Sequence, residues 1–512
     1  MSVAETGAPL LQGAKPLSRP IPPEPARAPK AELKRPLAGP LGLLGLTVVL
    51  IIGHQGRLLE LIYPVASFLV AFNLYRRSPA HHLGFVFWLF FLTPEVRRFA
   101  DFLNGSFNSV SPIMVSPLLA VALCGLGVVT NFRALGQRRA APLVLIMLAM
   151  FYSYVIGLVQ VGPAAASVTL ANWLFPALVG FRLVVTWQEY PAYRRVLLKT
   201  FVWGSFVMGV YGVIQFVSPP PWDAFWLLSS GMTSEGSPVP FGMRVCSTMN
   251  SFGAFSITIM ATMLMTFAAS GRWPMIAGLL ALLALMFTSA RSAWGGAMVG
   301  FIYAVAMLDA RRRLRLIGGL LVFAMMCAPV VMVDQVSDRL MSRLDTFQDL
   351  SKDNSYRVRA EFYSTFWSRA LSDIQGQGLG MTGLGTKLSD DNSLQLSVVF
   401  DSGLMEVPFV MGWPGTLLYV TGVVTLLWRG LTASRKLSKD RFSISGVGVA
   451  LSFLSLMYFA NTMVSLAGTF FYIGILMPVI RLRYVREIGE PELSRSQGQQ
   501  QGQPGLLVKE PV

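Results

Sequence analysis

The sequence predicts an all-α, polytopic integral membrane protein of about twelve to fourteen transmembrane helices, and three observations carry that expectation. Hydrophobic residues make up 53% of the chain against 13% charged, with a mean hydropathy of +0.55, which is too apolar for a soluble globular protein. Apolar runs long enough to cross roughly 30 Å of hydrocarbon recur along most of its length. Between them, arginines and lysines fall in short clusters in alternate loops, the pattern that orients membrane proteins. The alternating apolar and polar decamers of an outer-membrane barrel are absent, so the spans are expected to be helical.

Taken in order, the apolar runs lie near 38–53, 58–75, 83–96, 113–130, 141–161, 166–186 and 197–217, then near 250–270, 274–290, 293–310, 316–333, 403–428, 444–461 and 463–481. With the N-terminus inside, the inside loops carry Arg76 and Arg77, then Arg133, Arg138 and Arg139, then Arg194, Arg195 and Lys199. Arg272, the Arg311 to Arg315 cluster, Arg435 to Arg441 and the tail with Arg481, Arg483 and Arg486 continue the alternation. Both termini are therefore expected in the cytoplasm of a bacterial inner membrane, with the longest loops, 218–249 and 334–402, in the periplasm. The expected organisation is a disordered cytoplasmic tail at 1–37, helices one to eleven over 38–333, a long helical periplasmic loop at 334–402, helices twelve to fourteen over 403–481, and a second disordered tail at 482–512. Residues 1–37 are rich in Pro, Ala and basic residues without an h-region, so they read as a tail and not a signal peptide.

A formal charge of +16 invites a nucleic-acid reading, but the charge is dispersed between apolar runs, and topology accounts for it better. Three cysteines support neither a disulfide framework nor a metal site. None of the three histidines, His54, His81 and His82, falls in the long loop. A histidine-based catalyst or zinc motif there is excluded, and nothing resembles a nucleotide-binding Walker loop.

The informative arginines are those on the outer side, where topology gives them no reason: Arg97, Arg98, Arg244, Arg291, Arg339, Arg343, Arg357, Arg359 and Arg369. Loop acids such as Asp338, Asp345 and Glu361 offer ordinary partners for some of them. Arg291 stands out, in the tight joint Phe287-Thr-Ser-Ala-Arg-Ser-Ala-Trp294 between two spans, where an interfacial arginine is costly unless it meets an anion or water. Arg244, in Phe241-Gly-Met-Arg-Val-Cys-Ser-Thr-Met-Asn-Ser-Phe-Gly253, precedes the next span. Guanidinium binds phosphate oxygens in bidentate fashion, so arginines converging at this depth suit a lipid-linked pyrophosphate. In the long loop, Gly376-Gln-Gly-Leu-Gly-Met-Thr-Gly-Leu-Gly385 contains a formal GxGxxG. It lacks the strand of a dinucleotide site and reads as a turn that lets backbone approach a substrate. Asp390-Asp-Asn392 and Asp401 to Glu406 follow, polar groups returning to the membrane surface that suit a base or sugar contacts, or an Asx turn or helix cap.

This ordered set resembles the bacterial O-antigen ligase and polymerase superfamily of lipid-dependent glycosyltransferases over roughly residues 200–425. The resemblance rests on Arg-x-x-Ser-Thr-x-Asn at Arg244 to Asn250, the Ser-x-Arg joint at Ser289 to Arg291, Arg357 in a long loop, the Gly-x-Gly turn, and Asp391-Asn392 before Gly403. It implies a GT-C-like, metal-independent membrane enzyme without cofactors. Such an enzyme takes glycans from undecaprenyl pyrophosphate by inverting transfer, amid membrane lipid and alongside a chain-length co-polymerase and a flippase. Carried over by position, Arg244 and Arg291 hold the diphosphate and Asp391 is the candidate base, with Arg357, Arg359, Arg98, Asn250 and Asn392 as substrate contacts. Ligases of the superfamily commonly carry His-Asn where this chain has Asp391-Asn392, which favours a polymerase of exopolysaccharide, capsule or O-antigen repeat units. A ligase acting on a lipid or protein acceptor and a secondary transporter or flippase are the competing readings.

Overall fold

The computed structural model describes residues 36–307, 313–314, 374–383, 402–437 and 440–489. The expected span at 316–333 and most of the long loop lie outside the described residues, as do Arg357, Arg359, Asp391 and Asn392. Within them the chain is helical, with only one isolated β-bridge, Gly236 to Met243, and no strand.

The helices are α1 (Ala38–Ile52), α2 (Gly56–Arg77), α3 (Pro79–Asn104), α4 (Ser116–Ala122), α5 (Leu126–Thr130), α6 (Ala141–Gln160), α7 (Pro163–Val185) and α8 (Tyr190–Val217). They continue with α9 (Pro221–Ser230), α10 (Phe252–Thr266), α11 (Arg272–Phe287), α12 (Arg291–Ala306), α13 (Gly403–Lys436), α14 (Arg441–Leu456) and α15 (Ser465–Glu487). Among the described residues seven segments are long and apolar enough to cross a membrane: α2, Pro112–Thr130, α6, α7, Trp187–Val217, α13 and α15. α1, α10, α11 and α14 are shorter apolar helices. An all-helical membrane protein is the class this defines.

Local chemistry sets the helix ends. Proline opens α3, α7 and α9, where a missing N–H costs nothing. Ser251 caps α10 by accepting the Ala254 N–H, and Asp440 caps α14 by accepting that of Ser443. α15 sits in the interior and is buried along most of its length. Small residues let helices close up around it: a methyl on Gly474 would lie 2.3 Å from the Gly446 carbonyl, and one on Gly300 2.9 Å from that of Gly448.

The basic loops gather at one end. Asp440 takes Arg194 at 3.7 Å, Arg481, the Tyr190 hydroxyl at 3.3 Å and the Ser443 hydroxyl at 2.5 Å. Arg139 pairs with Glu487 at 3.0 Å, Arg429 donates to the Arg139 carbonyl at 3.1 Å, and Arg441 donates to Ser270 at 3.1 Å. Loops expected on one side from charge alone are thus physically joined. Two elements exceed the sequence expectation: α15 runs on to Glu487, into the stretch expected to be a tail, because Arg139 and Arg483 both engage Glu487. Similarly, the 218–249 loop folds into α9, closed by Gly231 in the left-handed conformation.

Candidate functional site

The opposite end collects the polar segments singled out in the sequence. The Arg244–Asn250 stretch is an irregular loop fixed by hydrogen bonds to α3 and α8. Gln215 of α8 accepts the N–H groups of Cys246 at 3.0 Å and Ser247 at 2.7 Å. The Ser247 hydroxyl donates to the Met208 carbonyl at 2.7 Å and that of Thr248 to the Phe91 carbonyl at 2.5 Å. Ser247 itself holds a φ of +48°, a left-handed conformation that an L-residue adopts only when its surroundings impose it.

Arg98, expected as a substrate contact, is fully buried beneath this loop. Its guanidinium donates to Asp223 Oδ1 at 2.8 Å, Glu95 Oε2 at 3.0 Å, the Ser247 carbonyl at 2.7 Å, Cys246 Sγ at 3.4 Å and the Met249 carbonyl. The carboxylates are held in turn. Tyr211 donates to Glu95 at 2.6 Å, Trp222 Nε1 to Glu95 at 2.8 Å, and Gln215 Nε2 to Asp223 at 2.6 Å. In this arrangement Arg98 binds the loop to α3 and α9, because a buried cation is stable only when acceptors surround it. Burial also pushes the Cys246 thiol up to about 11, so it remains a neutral group between Arg98 and Gln215.

Arg244 points to the other motif. Its Nε donates to the Thr288 carbonyl at 3.0 Å and its Nη2 to the Ser289 carbonyl at 3.2 Å, while its guanidinium covers the Phe252 ring at 3.1 Å. Those carbonyls belong to the joint before Arg291, the first residue of α12. The Val245 N–H bonds to the Phe287 carbonyl at 3.2 Å, and Phe216 stacks on Phe287 with ring centres 4.1 Å apart. Two stretches, with Arg244 and Thr288 44 positions apart in the sequence, are therefore docked on each other, and Arg244 lies against the joint that leads into Arg291. Nearby, Asn250 donates to Met114 Sδ at 3.6 Å, and its buried carbonyl oxygen has no hydrogen-bond partner among the described residues.

Glu235 is buried behind Arg244 and Phe252 and was not singled out in the sequence. It is 1% exposed, its carboxylate accepts the Phe252 N–H at 3.1 Å, and its carbonyl accepts the Arg244 N–H at 2.8 Å. Burial raises its carboxyl to about 7, against the lowering effects of the Phe252 N–H, Arg244 and Arg98. A usable signal existed: Asp223 and Glu235 are the acids of the 218–249 loop, and the structure buries both.

The glycine-rich segment does different work from the substrate approach expected of it. α13 breaks at Gly412, with φ +58° and ψ −174°. Residues 374–379 fill the break: Gln377 N–H donates to the Phe409 carbonyl at 2.8 Å, Gly378 N–H to Val410 at 3.0 Å, and Trp413 N–H to Ile374 at 3.0 Å. A methyl on Gly376 would lie 2.2 Å from Gly412 N, and one on Gly378 2.3 Å from Gly157 N. The glycines thus serve backbone-to-backbone packing between α6 and α13. Beyond them Thr382 donates to Glu406 at 2.7 Å and Asn461 donates to its other oxygen at 2.8 Å, so Glu406 ties this segment to the α14–α15 connection.

Among the described residues no cluster of three or more His, Cys, Asp or Glu has the arrangement of a metal site. What the geometry gives is Arg244 docked on the joint between α11 and α12, beside the buried carboxyl of Glu235. Comparison with known proteins adds no family: no family model matches the chain, and a search of curated proteins returns no match.

Proposed function

We propose that this protein is a glycosyltransferase of the inner membrane that polymerises undecaprenyl-pyrophosphate-linked oligosaccharide repeat units at the periplasmic face. The observation that carries the reading is the docking of Arg244 onto the Thr288 and Ser289 carbonyls, which puts it on the joint that bears Arg291. Two guanidinium-bearing segments on one surface, at the end away from the basic loops, suit a diphosphate whose lipid tail lies in the bilayer. Fixed positive charge there stabilises the departing diphosphate without a metal, which is the main catalytic term such a reaction needs. Asp391 is the proposed base, and Asn250, Asn392, Arg357 and Arg359 are proposed to meet the glycan or its phosphates. Arg98 enters by fixing the 246–249 loop on which Asn250 follows.

A flippase or transporter is the second reading, and it requires the break of α13 at Gly412, filled here by residues 374–379, to open toward a substrate. Deletion of the gene followed by analysis of lipid-linked intermediates separates these readings. Loss of polymerisation leaves single repeat units exposed on the outer leaflet. Units stranded on the inner leaflet establish the flippase instead, and long unattached chains establish a ligase.

A further inference from the structure

At the other end of the molecule, remote from the arginine surface, α8 and α11 enclose a groove of about 260 Å³. Its walls are Leu198, Val202, Trp203, Phe206 and Trp273, and among its lining residues Lys199 alone is charged. Trp203 and Trp273 stack with centroids 6.2 Å apart, and Phe206 meets Trp273 edge-on at 6.1 Å. Both indoles are nevertheless half exposed, at 51% and 53%.

We infer that this groove binds an anionic phospholipid, with one acyl chain laid along the stacked tryptophans and its phosphate at Lys199 and Arg272. Position supports the assignment. Lys199 lies one helical turn before Trp203 on the side of the basic loops, Arg195 one turn before that, and Arg272 directly precedes Trp273 at the start of α11. The groove therefore has its cations at the end of the basic loops and its aromatic walls beyond them, the order in which a phospholipid presents phosphate and chain. Tryptophan concentrates at membrane interfaces, and lysine rests its stem on apolar surface while its ammonium reaches the headgroups. Charge complementarity selects an anionic headgroup over a zwitterionic one.

Native mass spectrometry of the full chain, delipidated and titrated with phosphatidylglycerol or phosphatidylcholine, tests the inference. The wild type is expected to retain phosphatidylglycerol about 25-fold better than phosphatidylcholine, about five-fold for each of the two cations. Lys199→Gln is expected to lower that preference about five-fold, and Lys199→Gln with Arg272→Gln by about 25-fold. Trp273→Ala, at an exposed position, is expected to weaken both lipids equally by removing the chain contact. Equal retention of the two lipids by the wild type, or an unchanged preference in Lys199→Gln, overturns it. A dimer that Trp273→Ala converts to monomer without change in lipid retention also overturns it and makes the groove a self-interface.

Discussion

Arg98 Nη1 stands 2.8 Å from Asp223 Oδ1, an ion pair 125 residues apart in sequence and buried to 0% and 2% exposure. It joins α3 to α9 and underlies the Ser247 and Met249 carbonyls. Truncating one partner of such a pair leaves an uncompensated charge, a loss of about 3–5 kcal/mol. Arg98→Ala is therefore expected to lower the thermal midpoint of the detergent-purified protein sharply, and Asp223→Asn to do so less because the amide still accepts a hydrogen bond. Equal melting of wild type and Arg98→Ala contradicts the structural role given to this residue.

The glycine segment makes a prediction of opposite character, about space. Gly378 has φ +81°, and its substituent would meet Gly157 N at 2.3 Å, a backbone atom that cannot rotate away. Gly383, at φ +65°, has no atom of the described residues within 4 Å of the same position. Gly378→Ala combines left-handed strain with overpacking and is expected to destabilise by about 3 kcal/mol or more. Gly383→Ala is expected to cost only the strain, about 1 kcal/mol. Chemical or thermal denaturation of both variants checks the contrast, and equal effects would refute the close packing of this segment into the α13 break.

The two cases mark what was legible in the sequence. Spans such as 141–161 and 166–186 agree with α6 and α7 within a few residues, because length and hydropathy are local properties. The gathering of Arg139, Arg194, Asp440 and Glu487 at one end follows from charge alternation, another local count. Arg244 and Arg291 stood out because arginine beside an apolar span is costly. Glu95, Gln215, Asp223 and Glu235 did not, since their importance lies in partners distant in sequence, which no spacing records. The Gly376 to Gly380 run was visible, but whether a bare backbone approaches a ligand or another helix depends on tertiary packing alone.

Glu235 carries a pH dependence whose sign can be worked out. Burial raises its carboxyl from 4.5 to about 7 in the folded chain, so the folded state favours the protonated form. Its stabilising contribution is full below about pH 4.5 and is lost as pH rises through 7. The groups facing it are Arg244, Arg98 and the Phe252 N–H. The melting temperature of the wild type is expected to fall relative to Glu235→Gln between pH 5 and pH 8, by the equivalent of about 1–3 kcal/mol. A pH-independent difference between the two proteins would show that Glu235 does not titrate in this range.

Arg244 tests the proposed chemistry. Lysine preserves the charge but offers one ammonium where guanidinium supplies a planar fork, and here that fork already spans the Thr288 and Ser289 carbonyls. Arg244→Lys is expected to lower polymer formation about 100-fold or more, because one ammonium cannot hold both carbonyls and still present a donor to the diphosphate. Arg291→Ala is expected to abolish polymer while leaving membrane insertion normal. The measurement pairs polymer yield in cells with the amount of monodisperse protein recovered from membranes, so that a folding defect is separated from a chemical one. If Arg244→Lys accumulates to wild-type levels and still yields full-length polymer, the fork is dispensable. The joint at Ser289 then serves only to pack α11 against α12, and the diphosphate must be bound elsewhere.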